Sequence, residues 1–269
     1  MLLKVSHLTR YSYSQPVRLG THRVQLHPRR EQNHTLLSYS LEVDPPPADQ
    51  LHSWDPQGNH QTELRFDGET DRLAIHSSFH LLTIKHDPGS VSARASSPPP
   101  PCVRREPVAP EVAALARAVE REGEDDDPMA FLHRLNQRIH QDVAFELRPS
   151  GNPRTPQETL LLGRGACRDL AVLFMAACRH KGFASRFVSG YQARSHSGRK
   201  ERFMHAWPEV HLAGVGWCGF DPTHGLTAGE GHVPVAAALD PQEAAPIRGT
   251  FVGEARSSLH TELLIDVSP

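Results

Sequence analysis

The octapeptide Gly163-Arg164-Gly165-Ala166-Cys167-Arg168-Asp169-Leu170 places one cysteine between a glycine-containing turn and an apolar segment that ends at Gly182. The apolar residues of that segment recur at the spacing of a core-facing helix. They are Leu170, Leu173, Phe174 and Ala177. Cys167 is therefore predicted to lie at a helix N-terminus, where unpaired backbone N–H groups and the helix dipole stabilise a thiolate.

Two later segments supply a histidine and a carboxylate. Residues 203–212 predict an extended run that contains His205, and residues 216–223 predict a short apolar strand that ends at Asp221. A cysteine nucleophile needs a base that takes or shares its proton, and a carboxylate that fixes the imidazole tautomer and stabilises its cation. We therefore predict a catalytic triad of Cys167, His205 and Asp221.

These three segments resemble the transglutaminase-like superfamily, whose members carry a Cys that opens a helix, a His-Ala-Trp strand and an Asp-Pro-Thr strand end. The matching residues are 165–169, 205–210 and 216–223. Residues 1–85 also resemble the N-terminal β domain of bacterial members, most clearly at residues 7–13 and 55–59. Pro208 departs from the family pattern, and because proline cannot donate to a β-ladder, strand pairing just past His205 is in question.

The distribution of patterns along the chain indicates an α+β fold. Residues 1–86 contain alternating and β-branched runs separated by proline and glycine turns, which is typical of a β-sandwich-like domain. Helical patterns precede Cys167 and strand patterns follow it. The resemblance implies a papain-like catalytic core in which helices pack on an antiparallel sheet. We predict a β domain over residues 1–95, a Pro-rich linker over 96–109 and a transglutaminase-like core over 110–269.

Three helices are predicted before the cysteine helix, each from its N-terminal signal. The first begins with Pro110 in its first turn, and the second is capped by Asp127 with Pro128 at its first position. The third opens with the capping box formed by Thr155 and Glu158.

Composition argues against several classes of protein. A net charge of −2 and a pI near 6.8 give no basic field for nucleic acid, and no dense Lys/Arg cluster suggests a membrane surface. The longest apolar run is well below the ~20 residues that span a bilayer, and the N-terminus lacks a secretory apolar region, so we expect a cytoplasmic protein. The four cysteines, which include Cys102, Cys178 and Cys218, form no zinc-type pair, so no metal and no cofactor are predicted.

The predicted chemistry is acyl transfer from a peptide or protein amide through a thioester on Cys167. Hydrolysis is favoured, amine transfer of the transglutaminase type is the alternative, and a non-catalytic binding module that keeps the triad as scaffold is the alternative from another class. An acidic substrate is expected because four cations precede His205 in the chain. They are Arg194, Arg199, Lys200 and Arg202. The oligomeric state stays open.

The sequence says less about the roles of the polar residues beside the nucleophile. The backbone N–H of Cys167 is one natural oxyanion donor, but Asn152 and Gln157 are equal candidates for the second. Arg168 and Asp169 are expected mainly to be solvated groups of the first helical turn.

Overall fold

The computed structural model describes residues 1–31, 33–84, 107–123, 127–193 and 202–268. The predicted linker over 96–109 lies outside the described residues except for 107–109, and residues 194–201 of the loop before His205 lie outside them too.

Within the described ranges the chain forms four helices and sixteen strands. The helices are α1 (Pro110–Arg121), α2 (Pro128–Asp142), α3 (Pro156–Leu162) and α4 (Cys167–Lys181). The strands before α1 are β1 (Leu2–Leu19), β2 (His22–Val24), β3 (His34–Asp44), β4 (Asp49–Trp54), β5 (His60–Arg65) and β6 (Thr70–Thr83). The strands after α2 are β7 (Ala144–Phe145), β8 (Arg164–Gly165), β9 (Ser185–Gln192), β10 (His205–Leu212), β11 (Gly216–Asp221), β12 (Leu226–Thr227), β13 (His232–Ala238), β14 (Ile247–Arg248), β15 (Phe251–Val252) and β16 (Ser257–Ser268).

The N-terminal strands form two antiparallel sheets that share an apolar core. One has the order β15-β1-β6-β3 with β16 also paired to β1, and the other has the order β14-β2-β5-β4. The core between the two sheets contains Val17, Leu64 and Leu73. Alternation along β1 also buries Leu3 and Val5, which pack in a separate cluster with Tyr191 and Val233. The sandwich-like prediction is confirmed.

The segment around the cysteine is a helical layer on a third antiparallel sheet of order β12-β11-β10-β9-β13. The caps of α2 and α3 form as predicted: Asp127 accepts hydrogen bonds from the backbone of the first turn, and Thr155 forms the capping box with Glu158. Helix α4 buries Leu170 and Phe174 against β10 and β11, and it ends at Gly182 in the left-handed conformation (φ 92°). The α+β prediction is confirmed.

Pro208 does not interrupt its strand. Strand β10 pairs with β9 from His205 to Val210, with Pro208 opposite Phe187. Pairing of β10 with β11 begins only at Glu209, one residue past the proline.

The last strands of the chain complete the N-terminal sheets. Strand β16 pairs with β1 over residues 257–268, β15 pairs with β1, and β14 pairs with β2. The predicted division at residues 96–109 stays a prediction. It assigned residues 247–268 to the catalytic core, however, whereas their hydrogen bonds join them to the N-terminal sheets.

Both N-terminal motifs of the sequence contact the third sheet. His7 on β1 shares a 3.0 Å hydrogen bond between its Nδ1 and the hydroxyl of Tyr191 on β9. Asn59 is fully buried, and its amide both donates to the carbonyl of Ala237 on β13 and accepts from the N–H of Ala237, each at 2.8 Å. These bonds fix the β-sandwich against the sheet that carries His205.

Among the residues that the structure describes, no helix is both long enough and apolar enough to cross a membrane.

Candidate active site

Cys167 is the first residue of α4 and is held there by a tight turn. Gly163 ends α3 in the left-handed conformation (φ 60°), and β8 then pairs in parallel with β7. A Cβ at Gly165 would lie 2.9 Å from the Cβ of Asp169, so only glycine fits this approach. The N–H of Cys167 belongs to the first turn, whose amides have no partner within the helix.

Asp169 was predicted to be a solvated group, but its side chain is fully buried. Its carboxylate accepts 2.8 Å hydrogen bonds from the backbone N–H groups of Ala166 and Arg154. It also accepts a 2.7 Å hydrogen bond from Nη2 of Arg148. Arg168 donates to the carbonyls of Arg148 and Ser150. These two residues fix the loop of residues 148–154 against the start of α4.

The three residues predicted as a triad lie together. Nε2 of His205 is 2.8 Å from Oδ2 of Asp221, which is fully buried at the end of β11. The other ring nitrogen of His205 is therefore the one left for Cys167, and both His205 and the backbone of Ala206 lie near enough to stabilise the thiolate. Cys167 is partly buried, so its sulfur lies between the protein interior and a cavity.

Electrostatics in this group favour a thiolate and an imidazolium. Burial raises the pKa of Cys167, but the hydrogen bond and charge of His205, the Ala206 N–H and the charge of Arg168 together lower it below the ordinary thiol value. Burial lowers the pKa of His205, but Asp221 and then Cys167 together raise it to about 10. Burial also raises the pKa of Asp221, yet hydrogen bonds and the charge of His205 hold it well below its usual range.

Asp221 has two further histidine partners that the sequence analysis did not identify. Nδ1 of His224 is 2.9 Å and Nε2 of His232 is 3.0 Å from the same Oδ2 atom. The other oxygen, Oδ1, accepts from the N–H of Thr223 at 3.1 Å. His224 lies three residues beyond Asp221, which is a signal that the sequence offers, but His232 comes from β13 and only the fold brings it here.

The side-chain atoms of His205, Asp221 and His232 lie within 4.8 Å of one another, which is close enough for one ion. Nδ1 of His232, however, accepts a hydrogen bond from the N–H of Gly229 at 3.2 Å. A histidine that ligates a metal through one nitrogen donates a proton from the other. His232 is arranged in the opposite way, with its proton on Nε2, so we assign the cluster as a hydrogen-bond network.

A cavity of about 740 Å³ opens beside Cys167. One wall is the start of α4 with residues 145–153, and another is the segment of residues 241–247. The N-terminal and C-terminal strands supply a further part of the wall through side chains of β1 and β16. These are His7, Thr9, Tyr11, Leu259, Thr261 and Leu263. A cavity of this size accommodates a few residues of a peptide.

The lining of the cavity distinguishes between the two candidates for the second oxyanion donor. Asn152 lies in its wall together with Cys167. Gln157 instead donates to the carboxylate of Glu111 at the surface, and it does not line the cavity. Asn152 is thus the better placed of the two.

The cations expected near the mouth are described only in part. Arg194, Arg199 and Lys200 lie outside the described residues. Arg202 is described, lines the cavity, and donates to the carbonyls of Gln192 and Ala193. Arg148 and Arg168 also line the cavity.

Comparison with known proteins gives matches over most of the chain. Residues 113–222 match the transglutaminase-like superfamily, and residues 3–81 match the bacterial transglutaminase-like N-terminal region. The uncharacterized protein Rv2569c of Mycobacterium tuberculosis is 27% identical over an alignment of 309 residues, which covers 99% of this chain and 92% of that protein. The uncharacterized protein ML0607 of Mycobacterium leprae is 29% identical over 104 residues, which cover 36% of this chain and 35% of that protein.

A solved structure has the same fold along the whole chain. The crystal structure of a candidate cysteine protease from Cytophaga hutchinsonii matches with a TM-score of 0.72 at 21% sequence identity, covering 100% of this chain and 93% of that one.

Proposed function

Because this chain belongs to the transglutaminase-like superfamily, we propose that it is a cysteine enzyme in which Cys167 is the nucleophile, His205 the acid and base, and Asp221 the carboxylate that orients His205. The observation that carries the proposal is the arrangement of Cys167 and His205 in the wall of one cavity, with Nε2 of His205 bonded to the buried Asp221 at 2.8 Å. A merely structural cysteine has no need of a partner that keeps it ionised.

The first half of the reaction forms a thioester. The thiolate of Cys167 attacks the carbonyl carbon of an amide, and a C–S bond forms while the carbonyl oxygen becomes an oxyanion. The N–H of Cys167 and the side chain of Asn152 are the proposed donors to that oxygen. When the oxyanion collapses, the C–N bond breaks and the imidazolium of His205 gives its proton to the leaving amine.

The second half decides between the two acyl-transfer activities. We propose hydrolysis, in which neutral His205 takes a proton from water while the water oxygen attacks the thioester and the C–S bond breaks. The cavity of about 740 Å³ gives water access to the thioester, which supports water as the acceptor. Amine transfer is the second candidate, since a primary amine that enters the same cavity attacks the same carbon.

The proposed substrate is a peptide or a protein segment that presents an amide, with a preference for acidic chains. Arg148, Arg168 and Arg202 line the cavity. Arg148 is paired with Asp169, whereas Arg168 and Arg202 donate to backbone carbonyls among the contacts of the described residues. This positive charge supports an anionic partner, although screening by water limits each such attraction to about 1 kcal/mol.

The test is incubation of the protein with peptide mixtures, with and without a primary amine, followed by mass spectrometry. We expect Cys167-dependent cleavage of peptide bonds or side-chain amides, and acidic sequences should be enriched among the products. Conjugates that replace hydrolysis products at millimolar amine would favour the transfer activity. If iodoacetamide modifies Cys167 no faster than a free thiol, with an ordinary thiol pKa of ~8.5, the result contradicts the proposed enzyme and favours the binding-module alternative.

A further inference from the structure

Oδ2 of Asp221 accepts hydrogen bonds from three imidazoles, whereas the proposed mechanism uses only one of them. The distances to His205, His224 and His232 lie between 2.8 and 3.0 Å. Asp221 is fully buried, so every donor that reaches it changes how strongly its charge acts on its neighbours.

His232 is a neutral donor with a defined tautomer. Its Nδ1 accepts from the N–H of Gly229, so the ring proton lies on Nε2 and is donated to Asp221. The side chain is 7% exposed, and burial lowers its pKa from the ordinary value, which keeps the ring uncharged at neutral pH. His232 therefore brings a hydrogen-bond donor to the carboxylate without bringing a positive charge.

Asp221 keeps its orientation without His232. Its Oδ1 remains bonded to the N–H of Thr223, and its Oδ2 remains bonded to His205 and His224 and, at 3.4 Å, to the side-chain amide of Gln192 on β9. Loss of the His232 donor should thus change how strongly the carboxylate attracts the His205 imidazolium more than it changes the position of the carboxylate.

Charged and titratable groups reach this cluster from every neighbouring element. Helix α4 contributes Cys167 and Arg168, β10 contributes His205, and the turn after β11 contributes His224. Glu230, two residues before His232, forms an ion pair with the N-terminal ammonium at 3.4 Å.

We infer that His232 is a positioning residue that acts through Asp221. Its N–H weakens the attraction of the Asp221 carboxylate for the His205 imidazolium, and so lets His205 release and accept protons during turnover. This inference rests on the proposed function.

The inference predicts opposite changes in two steps. Without the His232 donor, Asp221 attracts the imidazolium more strongly and the pKa of His205 rises. The thiolate then forms at lower pH, because its cationic partner is more stable. Attack by water on the thioester, which needs neutral His205, then requires higher pH.

The experiment uses the full chain and p-nitrophenyl acetate as the probe. The burst of nitrophenolate reports attack by the thiolate, since a C–S bond forms while the ester C–O bond breaks and the leaving group needs no proton. The steady rate reports attack by water on the acetyl thioester. Both are measured from pH 5 to pH 10, in about ten steps, for the wild type, His232→Leu and His232→Gln, whose amide restores an N–H donor.

For His232→Leu we expect the pH midpoint of the burst rate to fall and the pH midpoint of the steady rate to rise, each by about half a pH unit or more. Such a shift changes the rate about threefold on the acid side of the profile. His232→Gln should match the wild type in both. Should His232→Leu fail to fold, His232→Met provides the same loss of a donor with a more adaptable side chain.

Unchanged midpoints in a folded donor-free variant, or a parallel loss in both steps, would overturn the inference. The same is true if His232→Gln behaves like His232→Leu. Failure of the proposed function looks different, because the wild type itself would then show no burst that Cys167→Ala removes.

Discussion

The contact between Asn59 and β13 provides a test of how the β-sandwich is joined to the catalytic sheet. Asn59→Ala removes the amide that satisfies both the N–H and the carbonyl of Ala237, which is fully buried. It also removes a hydrogen bond from Asn59 to Asp55 at 2.8 Å and the acceptor for Nη1 of Arg29.

The cost is dominated by the two backbone groups of Ala237. A buried polar group that loses its partner costs about 1–3 kcal/mol, so two such groups imply a loss of about 4 kcal/mol. For a chain of this size, 1 kcal/mol corresponds to about 2–4 °C in Tm, which predicts a fall of about 10 °C. Backbone relaxation or entry of water at Ala237 would reduce the loss.

Differential scanning calorimetry of the wild type and Asn59→Ala measures this loss. The matched control is Gln57→Ala in the same turn, because Gln57 is exposed and its carbonyl, which accepts from Arg29, is kept. Gln57→Ala should shift Tm by less than about 2 °C. If Asn59→Ala shifts Tm no more than the control does, the hydrogen bonds between Asn59 and Ala237 do not hold the two parts together.

Three further predictions concern the site. Cys167→Ala should lower turnover by about 10⁴-fold or more without loss of folding. Cys178 lies on the buried face of α4, so Cys178→Ala should keep turnover and lose about 1 kcal/mol of stability. Equal inactivation of a folded Cys178→Ala protein would contradict the assignment of Cys167 as the nucleophile. The rate of alkylation of Cys167 should have a pH midpoint below the ordinary thiol value of ~8.5, and turnover should decline as the pH passes about 10. The lowered thiol pKa and the raised His205 pKa bound the pH range in which the thiolate–imidazolium pair exists. An alkylation midpoint at or above ~8.5 would contradict this ion pair. EDTA should leave turnover unchanged, since a thiolate stabilised by His205 needs no Lewis acid, and loss with recovery on addition of a divalent ion would refute this.

The sequence predicted those features that depend on local patterns. The caps at Asp127 and Thr155, the stripe of α4 and the stop at Gly182 are all short-range signals, and each is found in the structure. The three candidate catalytic residues were also identified locally, because each stands at the start or end of its own element. Their roles, like the cytoplasmic location, the domain limits and the substrate, stay predictions.

Features that depend on long-range contacts were not predicted. The burial of Asp169 arises from Arg148 and Arg154, which approach from a loop about 15–21 residues earlier. His232 reaches Asp221 only because β13 pairs with β9 on the far side of β10. No periodicity in the sequence predicts that three imidazole nitrogens and the amide nitrogen of Gln192 meet at one oxygen.

The position of the N-terminal strands bears on the choice between an enzyme and a binding module. A separate recognition domain would keep its binding face away from the nucleophile, whereas here β1 and β16 supply a wall of the cavity that contains Cys167. Thr9 and Thr261 lie in that wall and face each other across paired strands. The same sandwich is hydrogen-bonded to β9, which pairs with the strand of His205, and to β13, which carries His232. The N-terminal region therefore supplies part of the cavity wall beside Cys167, and its side chains are where selection of the acyl group or of the acceptor should be sought.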